Sequence, residues 1–541
     1  MYVRTVSRKN KDGSRVHYVQ IARKYWDPER KRPRTEIVCS LGRADTEGVK
    51  HLKGLLASIK KRLSLEDSAD AQGWQFEDSW DYGAFHAVSG LWDRLGMREI
   101  LEAAVAEEGR SVPFERAVFA MVANRCLAPS SKLCCYEDWL QEDVYFPEGR
   151  ELELHHLYRA MDLLVRHKVE IEREVYWRLG DLMNLDVDLV FYDTTSVYFE
   201  TDEEDGLRKR GYSKDGRGDS PQIVVGMAVT RDGIPVKSWV FPGSTADVST
   251  IERVKEDLRG WRLNRCVFVT DAGMVSEDNL KSLSAGGGRY ITAMPCRRGT
   301  EVVEEVLARP GRYREVTGNL EVKEVWVGDG ERRRRYVVCR NPIEARRESA
   351  HREEVLAELE EKLAGMKGHP KKACRLISSG RYGKYLRKLK SGEVRISRAK
   401  VKEHAKRDGI WVLRTNDETL SAEDLALGYK QLMRVEECWR TLKDGLDIRP
   451  VYHRTEDRIR AHVYLCVLGL MVERVAEKAV GDTWRNIRRT LRKQKAGQLL
   501  APHGRVIQVT EPSGEMRKIY NAMEIDPPKS ILSVEGSPSK T

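Results

Sequence analysis

Residues 189–196 read LVFYDTTS, and residues 266–274 read CVFVTDAGM. Each opens on a short apolar run of the length and composition of a buried strand, and each run closes on an aspartate, Asp193 in the first and Asp271 in the second. The segment between them keeps the same grammar. IVVGMAVT (223–230) and VKSWVFPG (236–243) flank Arg231–Asp232–Gly233–Ile234–Pro235, a hairpin with its turn signal. Asp247–Arg259 has helical spacing, and Ser276 stands where the N-cap of a further helix belongs. Strand, hairpin, helix, strand, helix predicts a mixed α/β layer arrangement. Ligands of open α/β sheets gather at the carboxyl ends of strands. One aspartate there is an ordinary turn residue; two at the ends of two central strands of one sheet, if brought together, repel and call for a compensating cation.

Outward from this core the pattern changes. Residues 2–43 alternate as strands, notably VHYVQIARKYW and TEIVCSLGR, with a turn at Asn10–Gly13. A helix is expected over Thr46–Leu63, completing a basic β-rich unit over 1–65, and the acidic stretch Glu66–Asp81 reads as a linker. Residues 82–185 carry helical periodicity and form an all-α unit. The α/β core is expected in two parts, 186–300 and 421–478, separated by an insertion domain over 301–420 with short strands (EVKEVWVG, RRYVVCR) and one long charged helix, Pro342–Met366. GIWVLRT returns to strand, Ala422–Lys443 reads as one strong helix and Ile459–Ala476 as a second, apolar one. Residues 479–541 read as a basic tail.

Composition narrows the function classes. The chain is 40% hydrophobic and 33% charged, with a net charge of +11. The longest apolar stretch, Ala461–Val472, is too short to span a bilayer and contains His462, a residue that fits a satisfied place in helix packing. The opening MYVRTVSRKNKDG has no apolar core of a secretory signal, so a soluble cytoplasmic protein is expected, without a membrane partner. Ten cysteines without a Cys-x-x-Cys pair argue against structural zinc. The positive charge is clustered: Met1–Asp45 holds twelve Lys/Arg against five Asp/Glu, and further runs lie at Arg208–Arg210, Arg332–Arg335, His369–Lys372 and Arg485–Lys495. Such clusters, interleaved with Tyr and Trp, are the footprint of a polyanion partner.

A third carboxylate comes from YKQLMRVEECWRTLK (429–443). Tyr429, Glu436 and Lys443 are spaced by seven, which on one continuous helix places them on one face. Glu437 would point about 100° away, so Glu436 is the residue of interest. A solvated Glu/Lys face is the alternative; Val435, Trp439 and Leu442 supply an apolar stripe that leaves the Tyr/Glu/Lys row at its border.

FYDTTS, VTDAGMVSEDNL and YKQLMRVEECWRTLK together resemble the three active-site segments of bacterial insertion-sequence DDE transposases, in the branch marked by a Y-(2)-R-(3)-E-(6)-K signature. The resemblance covers about residues 186–475. It implies an RNase H-like mixed-sheet core interrupted by a β-rich insertion domain, since the spacing of 165 from Asp271 to Glu436 exceeds what an unbroken core would hold. By that resemblance Asp193, Asp271 and Glu436 are catalytic and hold two Mg²⁺ ions, with Mn²⁺ as a possible substitute. The partner is double-stranded DNA, both terminal inverted repeats and target, bound by a homodimer associated with the bacterial nucleoid. The reaction implied is cut-and-paste transposition through a hairpin intermediate. Tyr429 and Lys443 would grip a phosphate beside the cut. The signature arginine falls on Leu432, so Arg440 or Arg434 would have to take over its contact. Lys209, Arg210 and Lys214 either touch DNA or line a solvated loop, and Trp326 either receives a flipped base or packs in its sheet. The N-terminal basic unit is the expected reader of the element ends. A structure-specific nuclease on the same core, such as a junction resolvase, and a transposase-derived DNA-binding protein that has lost catalysis are the competing readings.

Overall fold

The computed structural model describes residues 2–9, 15–27, 32–43, 75–108, 112–183, 189–258, 261, 267–296, 300–366, 370–501 and 504–536. The expected turn at 10–13 and helix at 46–63 lie outside them. The chain divides into two compact units.

In the first unit, β1 (Tyr2–Lys9), β2 (Arg15–Asp27) and β3 (Arg32–Arg43) form a three-stranded antiparallel sheet in that order. Across β1 and β2 the Arg4 guanidinium donates to Gln20 Oε1 at 3.0 Å. The two residues sit directly opposite one another in the register.

The second unit begins within β4 (Gln75–Asp81) and continues through helices that include Gly83–Arg94, Phe114–Leu127, Leu154–Arg166 and Lys168–Met183. Its centre is a nine-stranded mixed sheet. The strands are β5 (Leu189–Tyr198), β6 (Gln222–Val229), β7 (Pro235–Pro242), β8 (Val267–Thr270), β9 (Arg289–Met294), β10 (Arg314–Thr317), β11 (Leu320–Val327), β12 (Arg334–Arg340) and β15 (Ile410–Thr415). They lie in the order β10-β11-β12-β15-β9-β8-β5-β6-β7. β5, β6 and β7 form an antiparallel meander, while β8 runs parallel to β5 and β9 parallel to β8. The β6–β7 turn closes as its sequence requires, with Gly233 at φ 76°.

Alternation along the strands sorts the sheet's two faces. Leu189, Phe191, Val267, Val269 and Ile291 join the core built by the helices Met433–Asp444 and Glu456–Val480. Val190, Tyr192, Phe268 and Tyr290 point the other way, onto Ile251, Val254, Leu280 and Leu283. Ser276 caps its helix as expected, accepting from Asn279 N at 3.1 Å.

Two expectations change. Four of the strands of 301–420 do not make a separate sheet: β10, β11 and β12 pair in turn, β12 pairs with β15, and β15 with β9, so they extend the central sheet. Without them β9 would present an open edge, with unpaired backbone groups and exposed apolar side chains. The rest of that segment stands apart. Helix Pro342–Gly365 packs with the small hairpin β13 (Leu386–Lys388) and β14 (Val394–Ile396) around Val355, Leu359, Tyr385 and Leu386. The second change concerns 479–541, read as a basic tail. Trp484–Leu491 and Gly514–Ala522 are helices, and Trp484, Ile487, Leu491 and Tyr520 belong to the main core. Trp484 Nε1 donates to the Cys126 carbonyl at 3.0 Å. The arginines between these apolar positions hid a helix with one buried face.

Glu473, on the apolar helix Glu456–Val480, is buried, and burial holds its carboxyl well above the usual range, reinforced by Glu477. The unfolded chain ionises this group while the folded chain keeps the proton, so its contribution to stability falls as pH rises above the ordinary glutamate range. Glu473→Gln is therefore expected to raise the melting temperature at neutral pH, with the gain vanishing near pH 4. Melting curves across that range check it; a gain independent of pH would contradict the assignment.

Candidate functional site

Asp193 lies on β5 and Asp271 directly follows β8, the parallel neighbour of β5. Phe191 pairs with Val269; Asp193 lies two residues beyond the first and Asp271 two beyond the second, close enough for the Asp271 charge to bear on Asp193. Both share the parity of Phe191 and Val269 and so face the side of the sheet on which helix Met433–Asp444 packs. Asp271 follows the last residue of β8, as expected. Asp193 does not end its strand: β5 runs on to Tyr198 because β6 continues to pair with it after β8 stops.

Burial raises the Asp193 carboxyl's pKa, the negative charges of Asp247 and Asp271 add to this, and Lys214 opposes it. The Lys214 ammonium lies 3.7 Å from Asp193 Oδ1 and 3.0 Å from Asp247 Oδ2. It also donates to the Thr194 carbonyl at 2.7 Å, and Thr194 Oγ1 donates to Asp247 Oδ1 at 2.5 Å. Of the three basic loop residues, then, Lys214 belongs to the site. Arg210 is ion-paired with Glu204 and Asp202, and Lys209 pairs its backbone with Gln222. Asp247 and Thr194 were not singled out in the sequence. The signal for Asp247 was an acidic residue closing PGSTAD, the loop after β7.

The helix carrying the third carboxylate is broken. Ala422–Lys430 and Met433–Asp444 are separate helices joined through Gln431 and Leu432. Across the joint the backbone tightens to i→i−3 bonds, Arg434 N to Gln431 O and Val435 N to Leu432 O. The seven-residue spacing from Tyr429 to Glu436 therefore crosses a joint and no longer defines one helix face. Tyr429 still faces the site. Its hydroxyl donates to Asp271 Oδ1 at 3.4 Å, and its pKa is raised first by burial and then by Asp271 and Glu436. Glu436 is exposed, in the first turn of its helix, whereas Glu437 is ion-paired with Arg434 at 3.0 Å.

Lys443 is half-buried rather than free on the surface. It donates to Asp215 Oδ1 at 2.8 Å, and Arg449 reaches the same oxygen at 2.6 Å. Burial lowers the lysine's pKa, and Asp215 pulls it back. Asp215 Oδ2 is buried with no hydrogen-bond partner. Leu432 is 7% exposed and belongs to the core, while Arg440 is exposed on the helix of Glu436. Trp326 lies on β11 under the Arg333 guanidinium, 3.9 Å from its ring centre, with its indole N–H on Glu324 Oε1. His462 donates from Nε2 to the Ile448 carbonyl at 3.0 Å inside the core.

Among the described residues, no three His, Cys, Asp or Glu side chains already converge as a complete metal-ligand group. The donors nearest to one another are carboxylates, with Lys214 supplying the positive charge between two of them. An all-oxygen set without His or Cys suits a hard divalent cation such as Mg²⁺ or Mn²⁺. Among the described residues no helix is long and apolar enough to cross a membrane.

A family model described as a transposase DDE domain matches residues 188–472, and one described as the IS1634 family transposase N-terminal domain matches residues 3–70. No curated protein matches the chain. Among solved structures it is similar to a piggyBac transposase synaptic complex with hairpin DNA seen by cryo-EM, at 10% identity and TM-score 0.32, over 76% of this chain and 79% of that one.

Proposed function

Because the chain belongs to the DDE-domain transposases of insertion sequences, metal-dependent enzymes acting on DNA, we propose that Asp193, Asp271 and Glu436 are its catalytic carboxylates and that it performs cut-and-paste transposition. The observation that carries this reading is the pair Asp193 and Asp271, one on β5 and the other just past the parallel strand β8, on the side of the sheet where the helix of Glu436 packs. The order β7-β6-β5-β8-β9, a meander followed by two parallel strands, supports an RNase H-like core.

Asp193 and Asp271 would hold the metal, and Glu436, exposed and able to change rotamer, would complete the set. Two Mg²⁺ ions bound there would supply Lewis-acid activation of the attacking oxygen and stabilise the leaving one. Tyr429 holds Asp271 from the side by its hydroxyl, orienting one carboxylate oxygen. Lys214 neutralises Asp193 and Asp247 until a cation arrives, and its ammonium is then free for a phosphate. Lys443, locked on Asp215 together with Arg449, acts as a fixed positive wall to the site. A hairpin intermediate, a homodimer on the DNA and recognition of element ends by residues 1–65 complete the proposal.

Labelled element ends incubated with Mg²⁺ separate the readings. Transposition predicts 3′-end joining to target; cutting without joining would indicate a nuclease, and binding alone a catalytically lost protein. In the same assay, deleting residues 1–45, which carry a net charge of +7, is expected to erase discrimination between element ends and random DNA. It should also flatten the log–log salt dependence of binding. Retained discrimination would move end recognition to another part of the chain.

A further inference from the structure

We propose that the small body built around the hairpin β13–β14 is a sequence-independent grip on duplex DNA away from the reacting strand ends; its choice of partner rests on the transposase reading. Pro370–Lys402 holds twelve Lys/Arg against one Asp/Glu, a net charge of +11 that equals the net charge of the whole chain. Charge gathered so densely repels itself. The hairpin adds to the cost, because Arg387 stands directly opposite Arg395 in its register, and like charges facing one another weaken an antiparallel pair. The one acid, Glu393, is already taken by Arg395 at 2.9 Å. Arg387, Lys388, Lys390, Arg398 and Lys402 are exposed, and among the described residues no carboxylate pairs with any of them.

The fold holds these cations outward. Leu386 and Val394, on the inner side of the hairpin, pack with Val355, Leu359 and Tyr385 in a core of their own. Leu389 N donates to the Glu393 carbonyl at 2.8 Å and closes the hairpin. From the helix Arg398–Ala405, Lys400 Nζ donates to the Leu386 carbonyl at 2.6 Å. The partner follows from what the outer side offers. Tyr382 and Tyr385 are buried, so neither ring is presented for stacking on an unpaired base. Pro370–Lys402 contains no Asn or Gln, the side chains that read adenine edges. What remains is positive charge, which contacts phosphates without reading sequence. Residues 1–65 take the element ends; this body takes DNA whose sequence varies.

The test uses the full-length protein without added metal and a duplex of arbitrary sequence, titrated across a range of salt. Arg387→Gln, Lys388→Gln and Lys390→Gln combined are expected to lower the log–log slope by about 0.9 for each lost phosphate contact. Binding at physiological salt should weaken by on the order of a hundredfold. Melting should not fall, since the repulsion between Arg387 and Arg395 is relieved. The swap Arg387→Lys, Lys388→Arg and Lys390→Arg should bind as wild type, because a phosphate accepts either cation. Removing three exposed cations elsewhere, Arg166→Gln, Arg173→Gln and Lys281→Gln, should leave the slope nearly unchanged. A hairpin variant that loses no more than this control set would overturn the grip while leaving the transposase reading, tested by end joining, intact. A swap variant that binds weakly would overturn its indifference to sequence, and a larger loss on single strands than on the duplex would overturn the choice of partner. A wild-type protein that binds no duplex would overturn both the grip and the transposase reading.

Discussion

Asp193→Asn, Asp271→Asn and Glu436→Gln are each expected to lower the rate of end cleavage by on the order of a thousandfold, with binding of the DNA ends retained. The changes are nearly isosteric and remove one charged oxygen from the set that would hold the metal. The fold should not suffer. Asp193 is an acid whose ionised form is disfavoured by burial and by the charges of Asp247 and Asp271, so neutralising it relieves repulsion rather than creating it. Circular dichroism and melting should therefore stay close to wild type while cleavage is lost, and Mn²⁺ titration should show weakened metal dependence. Glu437→Gln is the internal control. Its carboxylate is engaged by Arg434 at 3.0 Å, a partly exposed pair worth little, so cleavage should stay within a few-fold of wild type. An inactive Glu437→Gln beside an active Glu436→Gln would reverse the assignment of the third carboxylate.

What was legible in the chain divides by the range of the interactions involved. Local signals were readable: the β6–β7 turn at Gly233, the Ser276 cap and the two apolar strands leading to Asp193 and Asp271 each depend on a few adjacent residues. Three features were set by contacts made at a distance. β5 runs five residues beyond Asp193 because β6 supplies a partner there, which no window around FYDTTS reveals. The strands of 320–340 join the central sheet because β15, some 70 residues later, bridges them to β9. Lys443 looks like a surface cation until Asp215, 228 residues away, is found beside it. The same holds for Asp247, a loop residue in the sequence that becomes a neighbour of Asp193 only through Lys214 and Thr194. The carboxylates themselves were legible from residue type; their charge compensation was not, because the compensating groups come from other loops.

Leu432→Arg would supply the arginine that the resemblance to the Y-(2)-R-(3)-E-(6)-K branch expects, and is nonetheless expected to destabilise the protein by about 3 kcal/mol and to lower its melting temperature by several degrees. Leu432 is 7% exposed and lies at the joint between Ala422–Lys430 and Met433–Asp444, where its backbone carbonyl accepts from Val435 N. A guanidinium at that place must either enter the core without a partner or swing out and leave a void where the leucine packed, and both cost stability. If a phosphate contact is made from this helix, Arg440 is better placed for it. It is exposed and one turn beyond Glu436, while Arg434 is occupied by Glu437. Arg440→Ala should thus slow cleavage more than Arg434→Ala, with metal affinity unchanged. Because position 432 faces the core, adding Leu432→Arg should not rescue Arg440→Ala. A double variant that recovers cleavage at an unchanged melting temperature would show that position 432 opens to the DNA side, and that the leucine fills a phosphate pocket rather than a core.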